Sequence, residues 1–421
     1  MKHAEQINVL KELIRQIDTD TTCDAGRMLI NPTSSYTDEA RAKREWETMF
    51  QGHPQVIGLS PELPKPGSYL TNNDLGMPIL ATRDKNGKFH AFVNACRHRG
   101  AQLTDEPRGE KNRFTCPFHS WTYSSDGQLM GIRKTEMFGE VDKSCHNLIE
   151  LPSQEKYGFL VVHPQVDGKV DIDELLGEKL ADELSTWEFE KCHFEGDSAI
   201  EKDLNWKLAN DTFGENYHFS SLHRDTLINL AHGDYATYDE YGKNHRICTA
   251  NRYLDVMRTQ PESDWNFAFA SIAAYYLFPN VQLVFVGGMV VVVRIYPDRN
   301  KVGRSISRIS HFSMPHIKEK VAEVDRATNV SAENVYAADT SARPEFDVSA
   351  TLELLLSTVE NEDYLMSEKA QVTAEGGKLD YFIFGRNEPA LHHFHNNYQA
   401  ALGDPPLKEY RAYRDISCRP P

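Results

Sequence analysis

The chain begins with a stretch in which hydrophobic residues recur at helical spacing. In MKHAEQINVLKELIRQIDTD, the apolar residues Ile7, Leu10, Ile14 and Ile17 fall on one face of a predicted amphipathic helix. Residues up to about 50 keep a helical pattern, with a loop rich in Thr, Asn, Pro and Ser around Asn31–Thr37. The N-terminal segment is therefore predicted to be mainly helical.

The pattern changes between about residues 55 and 165, where short alternating runs are cut by Gly, Pro, Asn and Asp. In ILATRDKNGKFHAFVN the turn is expected at Lys85–Gly87, and in WTYSSDGQLMGI at Asp126–Gly127. Short strands separated by such turns are typical of a small all-β domain. After a charged helical stretch (Asp171–Glu190), strands and helices mix until the end of the chain.

One strongly apolar run, LVFVGGMVVVVRIYP, starts at Leu283. It is too short to span a bilayer as a helix. Its Gly287–Gly288 pair predicts two strands of a buried hairpin. The N-terminal residues also lack the apolar core of a signal peptide, so a soluble, cytoplasmic protein is expected.

The segment NEPALHHFHNNYQAALG predicts a final helix. Asn387 is the expected cap, Pro389 lies in the first turn and Gly403 ends the helix. The predicted buried stripe consists of Leu391, Phe394, Tyr398 and Leu402. The three histidines at 392, 393 and 395 fall on several helix faces, which favours packed or solvated side chains over a metal site.

Composition narrows the function classes. The 421 residues can form two or three domains with full cores, and the formal net charge of −16 argues against a nucleic-acid backbone or an anionic membrane as main partner. Seven cysteines are scattered without a disulfide-like spacing, at positions 23, 96, 116, 145, 192, 248 and 418. Their odd number indicates reduced thiols or metal ligands.

Two short motifs in the β-rich region each offer one Cys and one His. CRHRGAQL carries Cys96 and His98, and CPFHSW carries Cys116 and His119. A structural zinc finger usually groups its ligands by type, whereas a Rieske [2Fe–2S] cluster has two Cys on one iron and two His on the other. Two facing loops that each supply one of each type would hold both irons. Structural zinc is the weaker alternative.

The neighbouring residues agree with a cluster. Gly100 and Pro117 permit tight turns, and Trp121 and Tyr123 could cover the cluster from water. A His-ligated cluster accepts and passes electrons, but its four protein-ligand positions are filled. Another site in the chain must therefore carry out substrate chemistry.

The second candidate site is GENYHFSSLH, residues 214–223, with His218 and His223. Two residues five apart lie roughly 140° apart on an ideal helix, so both can reach one ion only if the helix ends, bends or contains a π-bulge near Ser220–Leu222. By itself the motif does not distinguish a metal site from ordinary histidines.

The electron relay upstream favours a metal site here. Two imidazoles and one carboxylate form the facial triad of non-haem iron(II), which leaves positions open for O₂ and substrate. The best candidate for the carboxylate is Asp363 in VENEDYLMSEKAQ, a predicted helix whose buried face includes Leu365, Met366 and Ala370. Glu360 and Glu362 are the rival candidates.

Together these motifs resemble the large (α) subunits of Rieske non-haem iron ring-hydroxylating oxygenases. The matching segments, in the family's order, are CRHRG, CPFHSW, NWKLANDTFGENYHFSSLH, FPN and ENEDYLMSEKAQ, which cover most of residues 45–402. The resemblance implies that His218, His223 and Asp363 bind the mononuclear iron. It also implies that Glu215 bridges His218 and a cluster-ligating histidine, His119 or His98, of the neighbouring subunit in a ring of three α subunits.

The chain departs from the family pattern at two positions. Position 215 is Glu rather than the commoner Asp. Glu occurs at this position in some branches of the family, including the branch that oxidises quaternary amines such as carnitine. Where the family often has Glu-Asn, this chain has Asn210–Asp211, which leaves open whether Asp211 replaces the usual Asn near the iron.

The resemblance also points to the residues that line the substrate site. The apolar candidates, from the segment after His223 and from the hairpin around 281–293, are Leu227, Ile228, Leu230, Ala231 and Phe285. An apolar cavity suits an aromatic substrate. A quaternary amine needs an aromatic cage, and the available tyrosines are Tyr235, Tyr238, Tyr241, Tyr275 and Tyr276. A substrate carboxylate needs an arginine, for which Arg224, Arg252 and Arg258 are available.

The expected fold is α+β. N-terminal helices (1–44) pack on the catalytic domain, a small all-β Rieske domain spans 45–165, and a catalytic mononuclear-iron domain with an antiparallel sheet flanked by helices spans 166–421. The expected cofactors are one [2Fe–2S] Rieske cluster and one mononuclear non-haem Fe(II). No G-x-G-x-x-G follows a strand, so a nicotinamide site is expected on a separate chain.

The implied function is that of a terminal oxygenase component. It uses O₂ and electrons from NAD(P)H, delivered by a separate reductase with or without a ferredoxin, to hydroxylate an aromatic compound by ring dihydroxylation or monohydroxylation. A homotrimer of α subunits is expected, with or without a small β subunit.

Three other functions stay open. An electron-transfer Rieske protein needs no second metal site. A zinc-stapled binding module would be colourless. A Rieske monooxygenase that attacks an aliphatic or N-methyl group, for example of a quaternary amine, shares the same iron triad.

Overall fold

The computed structural model describes residues 1–317, 319 and 348–410, and Cys418 lies outside these ranges. The chain forms two compact units. Unit 1 comprises Met1–Glu45 and Cys192–Pro421, and unit 2 comprises Trp46–Lys191. Helices and antiparallel sheets both contribute, so the predicted α+β class is confirmed.

Unit 1 is built on a seven-stranded antiparallel sheet with a smaller three-stranded sheet. Its strands, β1 and β13 to β21 in chain order, are Leu29–Pro32, His193–Lys202, Ala231–Tyr241, Asn244–Asn251, Ser271–Leu277, Val281–Val286, Met289–Pro297, Ser305–Ser313, Tyr381–Phe384 and Lys408–Glu409. The large sheet has the order β13-β19-β18-β17-β16-β15-β14, and the small one β20-β1-β21. The central strands β17 and β18 are buried almost throughout, as their continuous Val-rich sequence predicts.

Unit 2 consists of short antiparallel strands in three sheets. Its strands, β2 to β12, are Gln55–Leu59, Ser68–Asn72, Ile79–Arg83, Phe89–Val93, Arg108–Glu110, Arg113–Thr115, Thr122–Ser124, Leu129–Gly131, Glu150–Leu151, Ser153–Lys156 and Phe159–Val162. The sheet orders are β10-β5-β4-β3-β6, β11-β12-β2 and β7-β8-β9.

Helices cover unit 1 and are short in unit 2. The α-helices span His3–Thr19, Ser34–Thr37, Glu39–Glu45, Thr135–Phe138, Ile172–Leu176, Glu178–Ser185, Trp206–Asp211, Phe219–Leu222, Leu254–Met257, Phe267–Ala270, Val348–Thr358, Tyr364–Glu375 and Pro389–Leu402. The 3₁₀-helices are Ser60–Glu62, Lys143–His146, Phe189–Lys191, Leu227–Asn229 and Glu262–Asp264. In the described part of the chain, π-helical turns occur at Trp46–Gln51 and Val359–Asp363.

The predicted hairpin turns lie where the sequence places them. Lys85–Gly87 falls between β4 and β5, and Asp126–Gly127 between β8 and β9. Gly287 and Gly288 join β17 to β18 with φ of 55° and 77°, a conformation that side-chain-bearing residues rarely adopt. These two glycines therefore fix the hairpin at the centre of the large sheet.

Three predicted helices are present, but one detail of each prediction was wrong. The N-terminal helix buries Ile7, Val9, Leu10, Leu13 and Gln16, whereas the predicted Ile14 and Ile17 are only half-buried. The helix Pro389–Leu402 is preceded by Glu388 at the N-cap rather than Asn387, although Gly403 ends it in a left-handed conformation as predicted. In each case spacing identified the helix, and tertiary packing decided the exact face and the first residue.

The third wrong prediction concerns the helix Tyr364–Glu375. Leu365 and Met366 are exposed, and the buried positions of this helix are Tyr364, Ser367, Gln371 and Ala374 instead. Within the described ranges, no helix is long and apolar enough to cross a membrane.

Candidate metal centres

The two loops that carry the predicted cluster ligands have the same backbone hydrogen bonding. Cys96 N donates to Ala101 O at 2.8 Å, and Gly100 N donates to Cys96 O at 2.8 Å. In the loop 116–121, Cys116 N donates to Trp121 O at 2.8 Å, and Ser120 N donates to Cys116 O at 3.0 Å. Both cysteines therefore sit at the start of equivalent tight turns.

Each turn also needs a residue with positive φ at its fourth position after Cys. Gly100 has φ 76°, and Ser120 in the second loop has φ 61°. The sequence singled out Gly100 and Pro117 but not Ser120, because Ser gives no signal for a left-handed conformation.

The four predicted ligands converge between these loops. Cys96 and Cys116 are buried, at 3 % and 2 % exposure, while His98 and His119 are half-buried. The two imidazole rings lie 4.6 Å apart, centre to centre. His98 Nδ1 is buried and has no hydrogen-bond partner in the described part of the chain. Two thiols, two imidazoles and an unsatisfied ring nitrogen fit the ligand set of a Rieske cluster.

Aromatic side chains enclose this site. Trp121 stacks on His98 with ring centres 5.2 Å apart, and Phe138 packs edge-on against His98 at 5.2 Å. Tyr123 Oη lies 3.4 Å from Cys96 Sγ and accepts a hydrogen bond from Arg97 N at 2.9 Å. Burial, followed by the positive charges of neighbouring side chains, lowers the pKa of His98, which favours the neutral imidazole that binds metals.

The second candidate site is built around a very short helix. His218 precedes the helix Phe219–Leu222 and His223 follows it with non-helical φ −96° and ψ 25°. The helix therefore ends where the spacing of the two histidines required it to end or bend. The rings of His218 and His223 lie 4.8 Å apart as a result.

Asp363 completes this group from a distant part of the chain. Asp363 Oδ1 lies 3.2 Å from His218 Nε2 and 3.1 Å from His223 Nε2. The ligand atoms of the three residues all lie within 4.8 Å of one another. These three atoms are buried and have no hydrogen-bond partner among the described residues. Converging, unsatisfied imidazole and carboxylate atoms fit the facial triad of iron(II).

A carboxylate faces the outer ring nitrogen of each histidine, which is Nδ1, on the side away from Asp363. Glu215 Oε1 lies 2.5 Å from His218 Nδ1, and Glu362 Oε2 lies 2.7 Å from His223 Nδ1. Glu360, the other rival for the third ligand, is half-exposed and pairs with Lys202 at 3.7 Å. Of the three acids considered as third ligand, only Asp363 faces the inner ring nitrogens of the two histidines, which are the Nε2 atoms.

These carboxylates also shift the protonation of the site. Burial lowers the pKa of His218, but Asp363 and Glu215 outweigh it and raise that pKa to about 10. The histidines lower the pKa of Asp363 in spite of its burial. A proton and a metal ion therefore compete for the same cluster of atoms.

The residues at the second departure from the family pattern, Asn210 and Asp211, are engaged elsewhere. Asp211 accepts hydrogen bonds from Tyr36 Oη at 2.7 Å and pairs with His395 Nε2 at 2.9 Å. Asn210 accepts from Gln282 Nε2 at 2.9 Å. Neither residue lines the cavity at the triad, whereas Asn216 does. Asp211 thus belongs to a buried polar network that anchors the helix Trp206–Asp211.

The triad residues line a mostly aliphatic cavity. Cross-strand neighbours on one face of the large sheet form its floor, with Ile247 opposite Ala274 and Thr249 opposite Ile272. The full set of apolar lining residues is Phe213, Phe219, Leu227, Leu230, Ile247, Ile272, Ala274, Val284, Val286, Leu354, Leu355 and Val359. The other lining residues are Thr212, Glu215, Asn216, Thr249 and the three triad residues.

Only some of the predicted lining residues reach the cavity. Leu227 and Leu230 line it, whereas Ile228, Ala231 and Phe285 do not. Val284 and Val286 line the cavity in place of Phe285 because successive side chains of a strand point to opposite faces. None of the five tyrosines and three arginines considered as substrate-binding residues is among the lining residues that the structure describes.

Comparison with protein families gives two matches. Residues 53–144 match the Rieske [2Fe–2S] domain, and residues 189–307 and 325–404 match the catalytic domain of the ring-hydroxylating α subunit. The two matches contain, respectively, the four predicted cluster ligands and the three residues of the triad.

Curated relatives include enzymes of two kinds. The chain is 32% identical over 203 residues to the oxygenase subunit of glycine betaine monooxygenase from Chromohalobacter salexigens, with 48% of this chain and 45% of the relative covered. It is 32% identical over 197 residues to the large subunit of anthranilate 1,2-dioxygenase from Acinetobacter baylyi, with 43% and 41% covered. Each alignment thus spans less than half of the relative's own length.

A solved structure extends the likeness of fold over most of the chain. The crystal structure of a quaternary ammonium Rieske monooxygenase superposes with a TM-score of 0.70, covering 88% of this chain and 94% of that one at 19% identity. At this identity the likeness shows a shared fold.

Proposed function

The chain belongs to the Rieske non-haem iron oxygenases, as a large-subunit homologue, and on that premise we propose that it is the terminal oxygenase component of a hydroxylating system. It takes electrons from NAD(P)H through a separate reductase, with or without a ferredoxin, and uses O₂ to hydroxylate an aromatic compound. The observation that carries the proposal is the pair of converged ligand sets, one in each unit, with a cavity at the second set.

The residues of the chain have distinct tasks in this proposal. Cys96, His98, Cys116 and His119 hold the [2Fe–2S] cluster, and His218, His223 and Asp363 hold the mononuclear iron. When bound, the cluster supplies single electrons and the iron supplies the activation of O₂ beside the substrate. The aliphatic walls of the cavity exclude water and orient the substrate toward the triad.

Glu215 has a second task if the chain assembles as a homotrimer, which we include in the proposal. Its carboxylate fixes the Nδ1 side of His218 within one subunit. In the trimer it also contacts His98 or His119 of the neighbouring subunit, so that the two metal centres are coupled through hydrogen bonds. The proposal leaves a small β subunit optional.

The lining of the cavity favours an uncharged aromatic substrate. Its described walls, away from the triad and Glu215, offer aliphatic side chains, two phenylalanines, two threonine hydroxyls and one amide. A charged substrate would lose its hydration in such surroundings without a compensating partner. This loss of hydration costs on the order of several kcal/mol. A neutral ring gains from the same apolar contact.

Two observations support a second candidate function. The similarity to glycine betaine monooxygenase, together with Glu rather than Asp at position 215, supports monooxygenation of an N-methyl or other aliphatic group. The same triad serves both reactions. The two candidates differ in the substrate and in the number of oxygen atoms inserted.

The test is O₂-dependent turnover of iron-reconstituted protein with an NADH-dependent reductase and ¹⁸O₂. The substrate panel holds neutral aromatics, aromatic acids and quaternary amines. Two labelled oxygens on a neutral ring establish dioxygenation, and one establishes monohydroxylation. Loss of a methyl group from a quaternary amine selects the second candidate. Protein that binds no iron beyond the cluster contradicts both.

A further inference from the structure

Among the residues that the structure describes, Glu362 is the acid whose carboxylate faces Nδ1 of His223. Glu362 Oε2 lies 2.7 Å from His223 Nδ1, and Asp363 Oδ1 lies 3.1 Å from His223 Nε2. The two nitrogens of one ring are thus faced by consecutive acidic residues, one on each edge. His223 is 1 % exposed, so water does not compete for either contact.

The backbone explains how neighbouring residues reach both edges of one ring. On a regular α-helix, consecutive side chains diverge by about 100°. Glu362 and Asp363 instead end the π-helical turn Val359–Asp363, in which the helix is locally widened. Such a turn is a local distortion that occurs frequently at functional sites.

A hydroxyl group fixes the orientation of the same carboxylate. Thr226 Oγ1 donates to Glu362 Oε2 at 3.2 Å, and Thr226 follows His223 by three residues. The side chain of Glu362 is 24 % exposed, compared with 47 % for Glu360 on the same turn. Glu362 is therefore held by two partners from the His223 segment, whereas Glu360 has one long ion pair with Lys202.

We propose that Glu362 is a positioning residue for the mononuclear metal. It keeps the proton of His223 on Nδ1, so that the lone pair of Nε2 faces the metal, and it makes the imidazole a stronger donor. Glu215 does the same for His218, but from three residues away on the same loop. Glu362 acts across 139 positions of sequence and ties the two segments of the site together. This inference rests on the proposed iron site.

The test uses Glu362→Gln, which keeps the size of the side chain and removes its charge. Full-length protein is loaded with its cluster, and Fe(II) binding is measured by equilibrium competition with a chromogenic chelator. We expect binding to weaken by about 10- to 100-fold, the usual effect of losing such a partner. The electron paramagnetic resonance spectrum of the nitric oxide adduct of the Fe(II) protein should also change in rhombicity, while the cluster spectrum stays unchanged.

Glu360→Gln is the matched control, with the same chemical change two residues earlier on the same turn. It should leave Fe(II) binding and the nitric oxide spectrum as in the unmodified chain. Thr226→Val is a second variant that keeps the side-chain volume and removes the hydroxyl. We expect Fe(II) binding to weaken by only about 2- to 5-fold, because the hydroxyl acts on His223 through Glu362 and the carboxylate itself is retained.

The outcomes separate this inference from the proposed function. If Glu362→Gln binds Fe(II) within twofold of the unmodified chain and gives the same nitric oxide spectrum, Glu362 has no positioning role. Should Glu362→Gln fail to fold, unchanged Fe(II) binding and an unchanged spectrum in Thr226→Val overturn the inference. If the unmodified chain itself binds no Fe(II) beyond its cluster, the proposed iron site fails first.

Discussion

The two candidate metal centres are built in different ways. The cluster site lies within 24 residues of sequence, and its two loops use the same pair of backbone hydrogen bonds after each cysteine. The triad joins residues 145 positions apart, and side-chain carboxylates rather than backbone turns hold its histidines. The first site depends mainly on local conformation, and the second depends on long-range packing.

This difference predicts which changes each site tolerates. A local site should be sensitive to substitutions that alter backbone conformation, and should form even when the other unit is perturbed. A site assembled from distant segments should be sensitive to the loss of a single charged side chain, because nothing local replaces the contact.

The largest effect is expected for Asp363→Asn. The substitution removes the charge that faces both inner imidazole nitrogens, so the mononuclear iron should be lost and O₂-dependent turnover should fall by more than about 100-fold. Iron analysis should drop from about three to about two per chain, with the cluster absorbance retained. Glu360→Gln serves as the control, and full iron in Asp363→Asn would contradict the assignment of this ligand.

Cys116→Ala is the reciprocal experiment. It removes one thiolate ligand, so the visible absorbance of the cluster should disappear, while the Fe(II) site keeps about one iron per chain. Turnover with the reductase should again fall by more than about 100-fold, since electrons no longer reach the triad. Loss of both kinds of iron in Cys116→Ala would show that the two sites do not form independently.

A smaller effect is expected for Gly100→Ala. Gly100 has φ 76°, and an added Cβ would meet no atom within 4 Å, so the cost is conformational alone. That cost is about 1–2 kcal/mol for a left-handed residue and should appear in the free energy of unfolding of the cluster-loaded protein. Gly131 also has room for a Cβ but lacks a positive φ, so Gly131→Ala is the control and should change stability much less. Equal effects of the two substitutions would mean that the turn is not strained by Ala.

The smallest effect is expected for Tyr123→Phe. The Tyr123 hydroxyl accepts from Arg97 N, so its own hydrogen is free to reach Cys96 Sγ at 3.4 Å. Losing a hydrogen bond of about 1 kcal/mol to a ligand sulfur should lower the reduction potential of the cluster by about 40 mV. In Tyr69→Phe the lost hydroxyl bonds Glu106 instead, so the potential should stay the same. Potentiometric titration of both variants checks the prediction.

The sequence was informative wherever chemistry and local geometry coincide. CRHRG and CPFHSW specify both ligand types and one of the two turn residues, Gly100. The Gly287–Gly288 hairpin and the end of the helix after Leu222 follow from the same kind of local constraint. Family membership was predicted from these motifs and is confirmed by the two domain matches.

What the sequence left open concerns contacts between distant segments. It named Glu362 only as a rival ligand, because spacing cannot tell which edge of His223 an acid will face. It also gave no partner for Asp211, which meets Tyr36 and His395 from opposite ends of the chain. It predicted a buried face at Leu365 and Met366, whereas tertiary packing buries Tyr364 and Ser367.

The amino-acid sequence by itself determined the α+β class, the two Cys-His motifs, the His218–His223 pair and the hairpins, because each depends on residue types a few positions apart. Only the tertiary structure decided which acid faces the inner side of the triad and which strand face lines the cavity. Side-chain periodicity along a strand or helix restricts the choice to a few faces. The packing of remote elements then selects one of them, and local sequence does not contain that information.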